Sequence, residues 1–359
     1  MTNHNIIEDP RPWAFGTAEL TAGLRRFTGD PTLMIQRIEE QPLADLRPSV
    51  ARVRGLCVFC EGSTGKREFS LVLKEAQQQG NTRAGTINAG RREILFYQNL
   101  AEQLPVRIPR LFAADPDGQW LLMNLLPPGR TLTNWRTEDY YLATDQLVAL
   151  HDRFWGLGDD LRVYGWLARP LDADFQVHVN VAEQAAQQIS AAFTENNRDN
   201  HQEIAQLLTR ITANAEHIAQ TLRGAPQTLL HGDYWPDNLH VLEDGSITVY
   251  DWQQVGIGPA ILDVVTFVQN SLWRLEPLPV SAEEVIAYYR TSVRRFMGYT
   301  WRDEDWQKQW DYALLWSFIV NWIDILSSMP QALMRTRIDA LERIWLTPIR
   351  RVIETYLPS

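Results

Sequence analysis

Hydrophobic positions in the first third of the chain follow the two-residue period of β-strands. Apolar and β-branched residues mix with polar ones over residues 32–43, 49–60 and 67–76, and RP and GSTGK separate these segments. Strand residues two apart lie on the same face, so these segments predict a small sheet. A further apolar strand, QWLLMNLLPPG at 119–129, ends at a Pro-Pro-Gly stop.

The rest of the chain shows mainly the period of amphipathic helices. One helix is predicted at 88–104, between the sheet segments, and further helices are predicted at 137–156, 200–224 and 281–298. The last of these begins with a capping box formed by Ser281 and Glu284. A single β-hairpin is predicted at 239–252, because Asp244-Gly245 is a strong turn signal between two apolar segments.

This pattern predicts an α+β protein with two domains. Residues 1–126 form the first, a small lobe of sheet and helix with an N-terminal extension. Residues 127–359 form the second, a larger and mainly helical lobe that contains the hairpin. The segment PPGRTLTNW at 127–135 is the predicted hinge.

Composition and charge exclude several classes of protein. The chain of 359 residues has a net charge of -10, whereas binding to a nucleic-acid backbone requires a basic face. The longest apolar run, at 312–326, is shorter than the ~20 residues of a membrane span and contains Asn321 and Asp324, so it predicts a buried core helix. The first residues lack the features of a signal peptide. We therefore expect a cytoplasmic protein with no nucleic-acid or membrane partner; the pattern does not indicate an oligomeric state.

The cysteines and tryptophans both favour structural roles. Cys57 and Cys60 have the C-x-x-C spacing of metal and redox sites, but no second cysteine pair follows. In a strand, positions three apart face opposite sides, so two reduced structural thiols are the favoured interpretation. Fourteen tryptophans occur, seven of them after residue 263, and core packing is favoured for most over a pocket that stacks on a substrate.

Three oxygen-bearing side chains follow apolar segments in the middle of the chain. In LHGDYWPDN at 230–238, four residues separate Asp233 from Asn238, and Asp251 ends the second strand of the predicted hairpin. A hairpin brings its two ends together, so Asn238 and Asp251 can share one ion. Oxygen ligands suit Mg²⁺, which binds few protein groups and keeps waters and phosphates. The sequence therefore predicts a magnesium site here.

A second pair of charged residues suits a nucleotide. Lys74 ends a predicted strand, and Glu93 lies in the helix that follows. Val72 shares a face of the strand with Lys74, which gives an apolar contact for a base beside an ammonium for phosphates. The order Lys74, Glu93, Asp233, Asn238, Asp251 is far more specific than any one of these residues.

The motifs HGDYWPDN and VYDWQQVGIGPAILDV resemble those of the aminoglycoside phosphotransferase and choline-kinase-like family, small-molecule kinases of the protein-kinase-like fold. The resemblance covers about residues 30–345 and is most specific over 228–268. It implies a two-lobed protein-kinase-like fold, with an antiparallel sheet in the N-lobe, and ATP and Mg²⁺ as cofactors.

The resemblance also implies residue roles. Asp233 would be the catalytic base, and Asn238 and Asp251 would bind magnesium. Lys74 would contact the phosphates with Glu93 as its partner. His231 would support the loop, and Asp263 would be a buried acid that braces the lobe.

Two segments depart from the family pattern. The turn between the first strands, at 41–53, lacks the glycines that cover the phosphates, so the backbone there or the Ser49 hydroxyl is expected to replace them, and the choice between ATP and GTP stays open. GSTGK at 62–66 fails as a P-loop and is expected to be a hairpin turn. Asn124, at the end of the strand before the hinge, is counted among the nucleotide-binding residues.

The acceptor is expected to be small. Only six residues separate Asp251 from Gly258, which leaves no room for the long segment on which protein kinases bind peptides. The favoured function is transfer of the γ-phosphate of ATP to a hydroxyl of an aminoglycoside-, sugar- or amino-alcohol-like molecule. Two alternatives are a non-catalytic nucleotide-binding regulator of the same fold and a protein kinase.

Overall fold

The structure is a computed structural model that describes residues 13–43, 51–76, 88–194, 199–275 and 277–357. Contacts divide the chain into two compact units. The first comprises Met1–Gly80 and Pro109–Pro128, and the second comprises Asn81–Ile108 and Gly129–Ser359.

The first unit is built on an antiparallel sheet with the strand order β1-β2-β3-β5-β4. Its strands are β1 (Met34–Gln41), β2 (Arg52–Gly62), β3 (Gly65–Glu75), β4 (Leu111–Ala114) and β5 (Trp120–Asn124). The three strands predicted at 32–43, 49–60 and 67–76 are confirmed. The GSTGK segment closes the β2–β3 hairpin, with Gly62 paired to Gly65, as predicted.

A helix that the sequence analysis did not predict covers this sheet. Helix α1 (Thr17–Thr28) packs on β4 so closely that a Cβ on Gly23 would lie 1.8 Å from the carbonyl oxygen of Phe112. Leu20 and Leu24 join the buried core between helix and sheet. The side chain at position 23 must therefore be absent for the core to close.

Alternation along β3 separates two kinds of residue. Leu71 and Leu73 are buried in the apolar core of the first unit. Val72 and Lys74 have the opposite parity and therefore lie on the other face of the strand. Lys74 is only 8% exposed.

The second unit is mainly helical, as predicted. Its helices are α2 (Ala89–Asn99), α3 (Thr137–Phe154), α4 (Gly158–Leu161), α5 (Phe175–Thr194), α6 (Asp199–Ala213), α7 (Ala215–Arg223), α8 (Ile261–Leu275), α9 (Ala282–Met297), α10 (Asp303–Ser317), α11 (Ile323–Ser328), α12 (Gln331–Leu341) and α13 (Thr347–Tyr356). Its strands form two antiparallel pairs, β6 (Gln227–Leu230) with β9 (Gly256–Pro259) and β7 (Leu239–Val241) with β8 (Ile247–Val249). The β7–β8 pair is the predicted hairpin, and Ser281 and Glu284 form the predicted capping box of α9.

Two helical predictions needed correction. The single helix predicted at 200–224 is two helices that meet at Asn214, whose side-chain amide donates to the carbonyl of Arg210. The core helix predicted at 312–326 is buried, but it contains a π-helical turn at Phe318–Trp322. Both breaks are backbone adjustments that an unbroken apolar period does not reveal.

The aromatic and sulfur-containing residues are largely in the core. Six of the seven late tryptophans are buried: Trp301, Trp306, Trp310, Trp316, Trp322 and Trp345. Core packing was the favoured interpretation, and it is confirmed for these six. Cys57 and Cys60 are buried thiols of β2, with Cys57 Sγ 3.1 Å from a carboxylate oxygen of Glu68. Burial is the main factor that raises the pKa of Cys57, to about 11, so this thiol is a weak nucleophile.

Within the part of the chain that the structure describes, no helix is both long and apolar enough to cross a membrane.

Candidate active site

A buried carboxylate fixes the segment that precedes Asp233. Asp263, in the first turn of α8, is 1% exposed. One of its oxygens, Oδ2, accepts from the His231 N–H at 2.8 Å, and Oδ1 accepts from the Gly232 N–H at 2.9 Å. A negative charge is stabilised at a helix N-terminus, and here it also satisfies two buried backbone donors. The expectation that Asp263 is a buried brace is confirmed by these contacts.

Gly232 occupies a position that no other residue fits. Its φ is +81°, and a Cβ there would lie 2.2 Å from the carbonyl oxygen of Gln254. The His-Gly-Asp segment therefore touches the chain that follows Asp251. Only glycine combines the left-handed backbone with this close approach.

The ring of His231 links the two segments that carry the acids. The N–H of Asp233 donates to Nδ1 of His231 at 3.2 Å, so the proton of the neutral ring lies on Nε2. Nε2 donates to the carbonyl of Tyr250, 3.1 Å away. His231 thus holds the residue before Asp251 against the backbone of Asp233, which agrees with its expected supporting role.

Asn238 is hydrogen-bonded to Asp233 through its side chain. Its Nδ2 donates to the Asp233 carbonyl at 2.9 Å and to Oδ2 of the Asp233 carboxylate at 2.8 Å. The short 3₁₀ turn Pro236–Asn238 brings the two side chains together across the loop. Because the amide nitrogen faces Asp233, the amide oxygen is the atom that a cation would bind.

Asp251 adjoins this pair through the hairpin. The N–H of Tyr250 donates to the Asn238 carbonyl at 3.1 Å, and Leu239 is paired with Val249. Asp251 itself has a left-handed backbone, with φ 65° and ψ 62°. For a non-glycine residue this conformation costs about 1 kcal/mol, so the surrounding contacts must hold it.

The electrostatics of the site fit a cation. The pKa of Asp233 is raised to about 7, first by burial and then by the carboxylate of Asp251, while the hydrogen bond from Asn238 opposes both. Beside the carboxylate of Asp233, the carboxylate of Asp251 and the amide oxygen of Asn238 form a hard-oxygen donor pair of the kind that Mg²⁺ prefers. The residues present therefore fit a magnesium ion.

This donor pair consists of one carboxylate and one amide. Over the described ranges, no group of three or more histidine, cysteine, aspartate and glutamate residues could hold a metal ion. A magnesium ion needs no such group, because water and phosphate oxygens complete its coordination.

The negative charges of Glu93 and Asp251 also act on Tyr97. Glu93 is fully buried on α2, and Tyr97 lies one turn later. The pKa of Tyr97 is raised well above its usual range, first by burial and then by the negative charges of Glu93 and Asp251. Helix α2 also contacts the chain beside Asp251, because the ring of Phe96 stacks on that of Trp252 with 4.3 Å between centroids. The predicted residues Glu93, Asp233, Asn238 and Asp251 therefore lie on connected segments of the second unit.

The remaining predicted residues belong to the first unit. Lys74 lies on β3 opposite Leu121, and Val72 is two residues before it. Asn124 is engaged within this unit, because its Oδ1 accepts from the Arg110 N–H at 2.6 Å. Ser49 and the turn around it lie outside the described residues.

Three neighbours of the site were not predicted from the sequence. Two of them lie on α2: Tyr97 is one turn after Glu93, and Arg92 is the residue before it. The third is Arg274 of α8, which contacts Asp237 of the loop with 3.1 Å between Nε and Oδ2. A helical wheel centred on Glu93 indicates Tyr97, since residues four apart share a face. Arg92 is adjacent to Glu93 in sequence and lies on a different face, so the wheel does not indicate it. Arg274 has no such local signal.

A family model described as a phosphotransferase enzyme family matches residues 62–304, which is more than half of the chain. No curated protein matches the sequence.

Among solved structures, an ethanolamine kinase of Plasmodium vivax has a TM-score of 0.56 at 10% identity, over 88% of this chain and 83% of that one. The choline kinase LicA of Streptococcus pneumoniae has a TM-score of 0.47 at 11% identity, over 89% of this chain and 92% of that one. An aminoglycoside phosphotransferase of Alicyclobacillus acidocaldarius has a TM-score of 0.46 at 12% identity, over 88% of this chain and 96% of that one. The first of these similarities shows the fold, and the predicted two-lobed, kinase-like α+β class is confirmed.

Proposed function

This chain belongs to the phosphotransferase enzyme family, and we propose that it transfers the γ-phosphate of ATP to a hydroxyl group of a small molecule, with Asp233 as the catalytic base. The family makes it a small-molecule kinase with an alcohol as acceptor. ATP as donor, the base, the magnesium ligands and the acceptor are parts of the proposal.

One geometric relationship carries the assignment. The Asn238 amide contacts the Asp233 carboxylate, and the β7–β8 hairpin joins Asn238 to the residue before Asp251. The proposed base for the acceptor hydroxyl thus adjoins the two proposed oxygen ligands of the ion, as transfer of a phosphate to a hydroxyl requires. Hydrogen bonds of Asp263 and His231 also hold this loop in place, which a loop that only capped a turn would not require.

In the proposed reaction Asp233 takes the proton of the acceptor hydroxyl while that oxygen forms its bond to the γ-phosphorus. The bond from phosphorus to the bridging oxygen breaks, and ADP leaves. Asn238 and Asp251 would hold Mg²⁺, which neutralises phosphate charge when bound. The Asn238 amide orients Asp233, and the buried surroundings of Asp233 favour its acceptance of a proton.

The proposed nucleotide-binding residues all lie within 1–126, the predicted N-lobe. Lys74 would neutralise phosphate oxygens with Glu93 as its partner, and Val72, on the same face of β3, would contact the base. Ser49 and Asn124 complete the proposed nucleotide-binding set. Lys74 is buried, and a lysine is rarely buried without a charged partner. This burial supports the proposal that its ammonium pairs with negative charge.

The chain after Asp251 supports a small acceptor. It passes through the 3₁₀ turn Trp252–Gln254 directly into β9, which pairs with β6. Only this short turn and Val255 lie between Asp251 and the paired strand, so the segment offers no extended stretch on which a peptide could bind. We therefore propose an aminoglycoside-, sugar- or amino-alcohol-like acceptor rather than a protein.

A transfer assay tests the proposal. Purified protein is incubated with Mg²⁺ and γ-labelled ATP, and with a panel of amino alcohols, sugars, aminoglycosides and peptides. Acceptor-dependent label transfer is expected with one of the small alcohols. Asp233→Asn should reduce it at least ~100-fold, since a positioned base contributes that much.

A matched variant controls for a general effect of removing an aspartate. Asp305→Asn changes a partly exposed residue of α10 that pairs with Arg302, away from the loop, and should leave transfer unchanged. Unchanged transfer in Asp233→Asn would disprove the assignment of the base. Transfer to peptides alone would disprove the acceptor class.

A further inference from the structure

Helix α2 carries a buried arginine directly before Glu93. Arg92 is 8% exposed, and its guanidinium donates to two backbone carbonyls. Nε donates to the carbonyl of Trp166 at 3.2 Å, and Nη1 donates to the carbonyl of Gln253 at 2.9 Å. A buried guanidinium that contacts two separate parts of the chain fixes their relative position.

Both carbonyls belong to segments that adjoin the proposed magnesium ligand Asp251. Gln253 lies in the 3₁₀ turn that begins directly after Asp251. The segment after Trp166 pairs with the chain after that turn: the N–H of Ala168 donates to Val255 at 3.1 Å, and the N–H of Ile257 donates to Ala168 at 2.8 Å. Arg92 therefore connects α2 both to the turn after Asp251 and to the segment that pairs with the chain after that turn.

A second contact from α2 acts on the same turn. Phe96 lies one helical turn after Arg92, and its ring stacks on Trp252 with 4.3 Å between centroids and 12° between planes. Trp252 is fully buried, and its ring lies 4.5 Å from that of His231. One face of α2 thus supplies a polar and an apolar contact to the two residues that follow Asp251.

The backbone of Asp251 needs such support. Its φ of 65° is a conformation that an aspartate adopts only when the neighbouring residues impose it. Asp251 directly precedes the turn that Arg92 and Phe96 hold, so a shift of Gln253 would rotate Asp251 toward a relaxed φ and turn its carboxylate away.

We propose that Arg92 is a positioning residue for the metal site, which holds the Gln253 carbonyl and thereby keeps Asp251 in the left-handed conformation from which it binds the ion. This inference rests on the function proposed above. Lysine cannot substitute, because a single ammonium does not present two nitrogens in the fixed spacing of a guanidinium.

The variant Arg92→Lys tests this proposal, because it keeps the positive charge but replaces the guanidinium with a single ammonium. The Mg²⁺ concentration for half-maximal transfer is expected to rise about tenfold, as is usual when a residue that orients a metal ligand is changed. The rate at saturating Mg²⁺ should return to within about threefold of the original protein, because excess ion restores occupancy. In the protein without metal or nucleotide, hydrogen exchange of the peptide containing residues 251–255 should become faster.

Arg223→Lys is the matched control. Nε of Arg223 also donates to a backbone carbonyl, that of Leu171, in the same unit, but neither residue belongs to the chain around Asp251. This variant should change neither the Mg²⁺ dependence nor exchange over 251–255. If Arg92→Lys does not yield folded protein, Arg92→Gln, which retains one donor, is measured in the same way.

Two results would overturn the proposal. One is an unchanged half-maximal Mg²⁺ concentration in the Arg92 variant; the other is a rate that falls equally at every Mg²⁺ concentration. Failure of the underlying function is recognised separately, because Asp251→Asn would then leave Mg²⁺-dependent transfer intact. If Asp251→Asn abolishes transfer while Arg92→Lys does not alter its metal dependence, only the positioning role is wrong.

Discussion

The side-chain nitrogen of Asn238 lies 2.8 Å from Oδ2 of Asp233. This hydrogen bond couples the proposed base to a proposed magnesium ligand, so a change in either residue alters both. The amide nitrogen faces the carboxylate and the amide oxygen is the atom proposed to bind the ion, and only an asparagine or a longer amide provides both ends.

Asn238→Asp should therefore be more damaging than its small change in size suggests. It removes the donor to Asp233 and adds a negative charge beside two existing ones. Loss of a hydrogen bond to a charged group costs about 1.5–3 kcal/mol, which predicts a fall in transfer rate of roughly 10- to 100-fold. Steady-state rates of transfer at saturating Mg²⁺ measure this.

The control for this prediction is Asn99→Asp. The Asn99 side chain donates to the Leu95 carbonyl at an exposed helix end and has no contact with the loop. Its rate should match that of the original protein. An Asn238→Asp enzyme as fast as this control would show that the amide polarity is irrelevant.

Asp263→Asn should destabilise the fold as well as the loop. Both carboxylate oxygens accept from buried N–H groups, of His231 and Gly232, and an amide would place an NH₂ group against one of these donors. An unsatisfied buried donor costs about 1–3 kcal/mol, so the free energy of unfolding should fall by at least that amount. Urea denaturation followed by tryptophan fluorescence is the measurement.

Asp305→Asn again serves for comparison, because this partly exposed aspartate pairs only at the surface with Arg302. Its effect on the free energy of unfolding should stay below about 1 kcal/mol. Equal effects of the two variants would contradict a bracing role for Asp263.

Gly232→Ala should cost more than an ordinary glycine replacement. The positive φ would strain the backbone of an alanine, and its methyl group would also lie 2.2 Å from the Gln254 carbonyl oxygen. Gly298→Ala is a matched reference, since φ is 66° there and a methyl group would have no atom within 4 Å. The reference should lose about 1 kcal/mol through φ alone, and Gly232→Ala should lose clearly more and also lose transfer activity. Equal losses of unfolding free energy, with transfer retained, would show that the close approach is not required.

His178 should make the stability of the protein depend on pH. Its pKa is lowered to about 4, mainly by burial; Asp174 opposes this shift, and Arg92 adds to it. The carboxyl of Asp233, whose pKa is raised to about 7, makes stability rise as the pH falls, because the folded chain keeps a proton there that the unfolded chain has released. His178 acts in the opposite direction: between about pH 6.5 and 4 the unfolded chain binds a proton on this residue that the folded chain does not, so the contribution of His178 to stability falls as the pH falls through this window. The loss approaches about 3 kcal/mol near pH 4, and the contribution is fully present above pH 6.5.

Urea denaturation at pH 7 and pH 5 checks this expectation. Compared with the original protein, His178→Gln should gain stability at pH 5 relative to pH 7, whereas His217→Gln, at a part-buried site that contacts Tyr312, should not. A pH dependence identical in His178→Gln and the original protein would assign the effect to other groups.

Local patterns determined the elements of this protein and the chemistry that it carries. The two-residue period indicated β1, β2 and β3, because alternation alone decides which face of a strand is buried. The Asp244-Gly245 turn and the Ser281–Glu284 capping box lie within a few residues of their partners, so short-range sequence suffices for them. The same holds for Asp233, Asn238 and Asp251, whose spacing along one loop and one hairpin already implies proximity.

Contacts between distant segments were decided only by the tertiary structure. The close packing of α1 at Gly23 and the two carbonyls held by Arg92 depend on residues far apart in the chain. The sequence by itself determined which residues can donate, accept and carry charge. The fold determined which of them meet, because burial and backbone pairing are properties of the packed chain and not of any single segment.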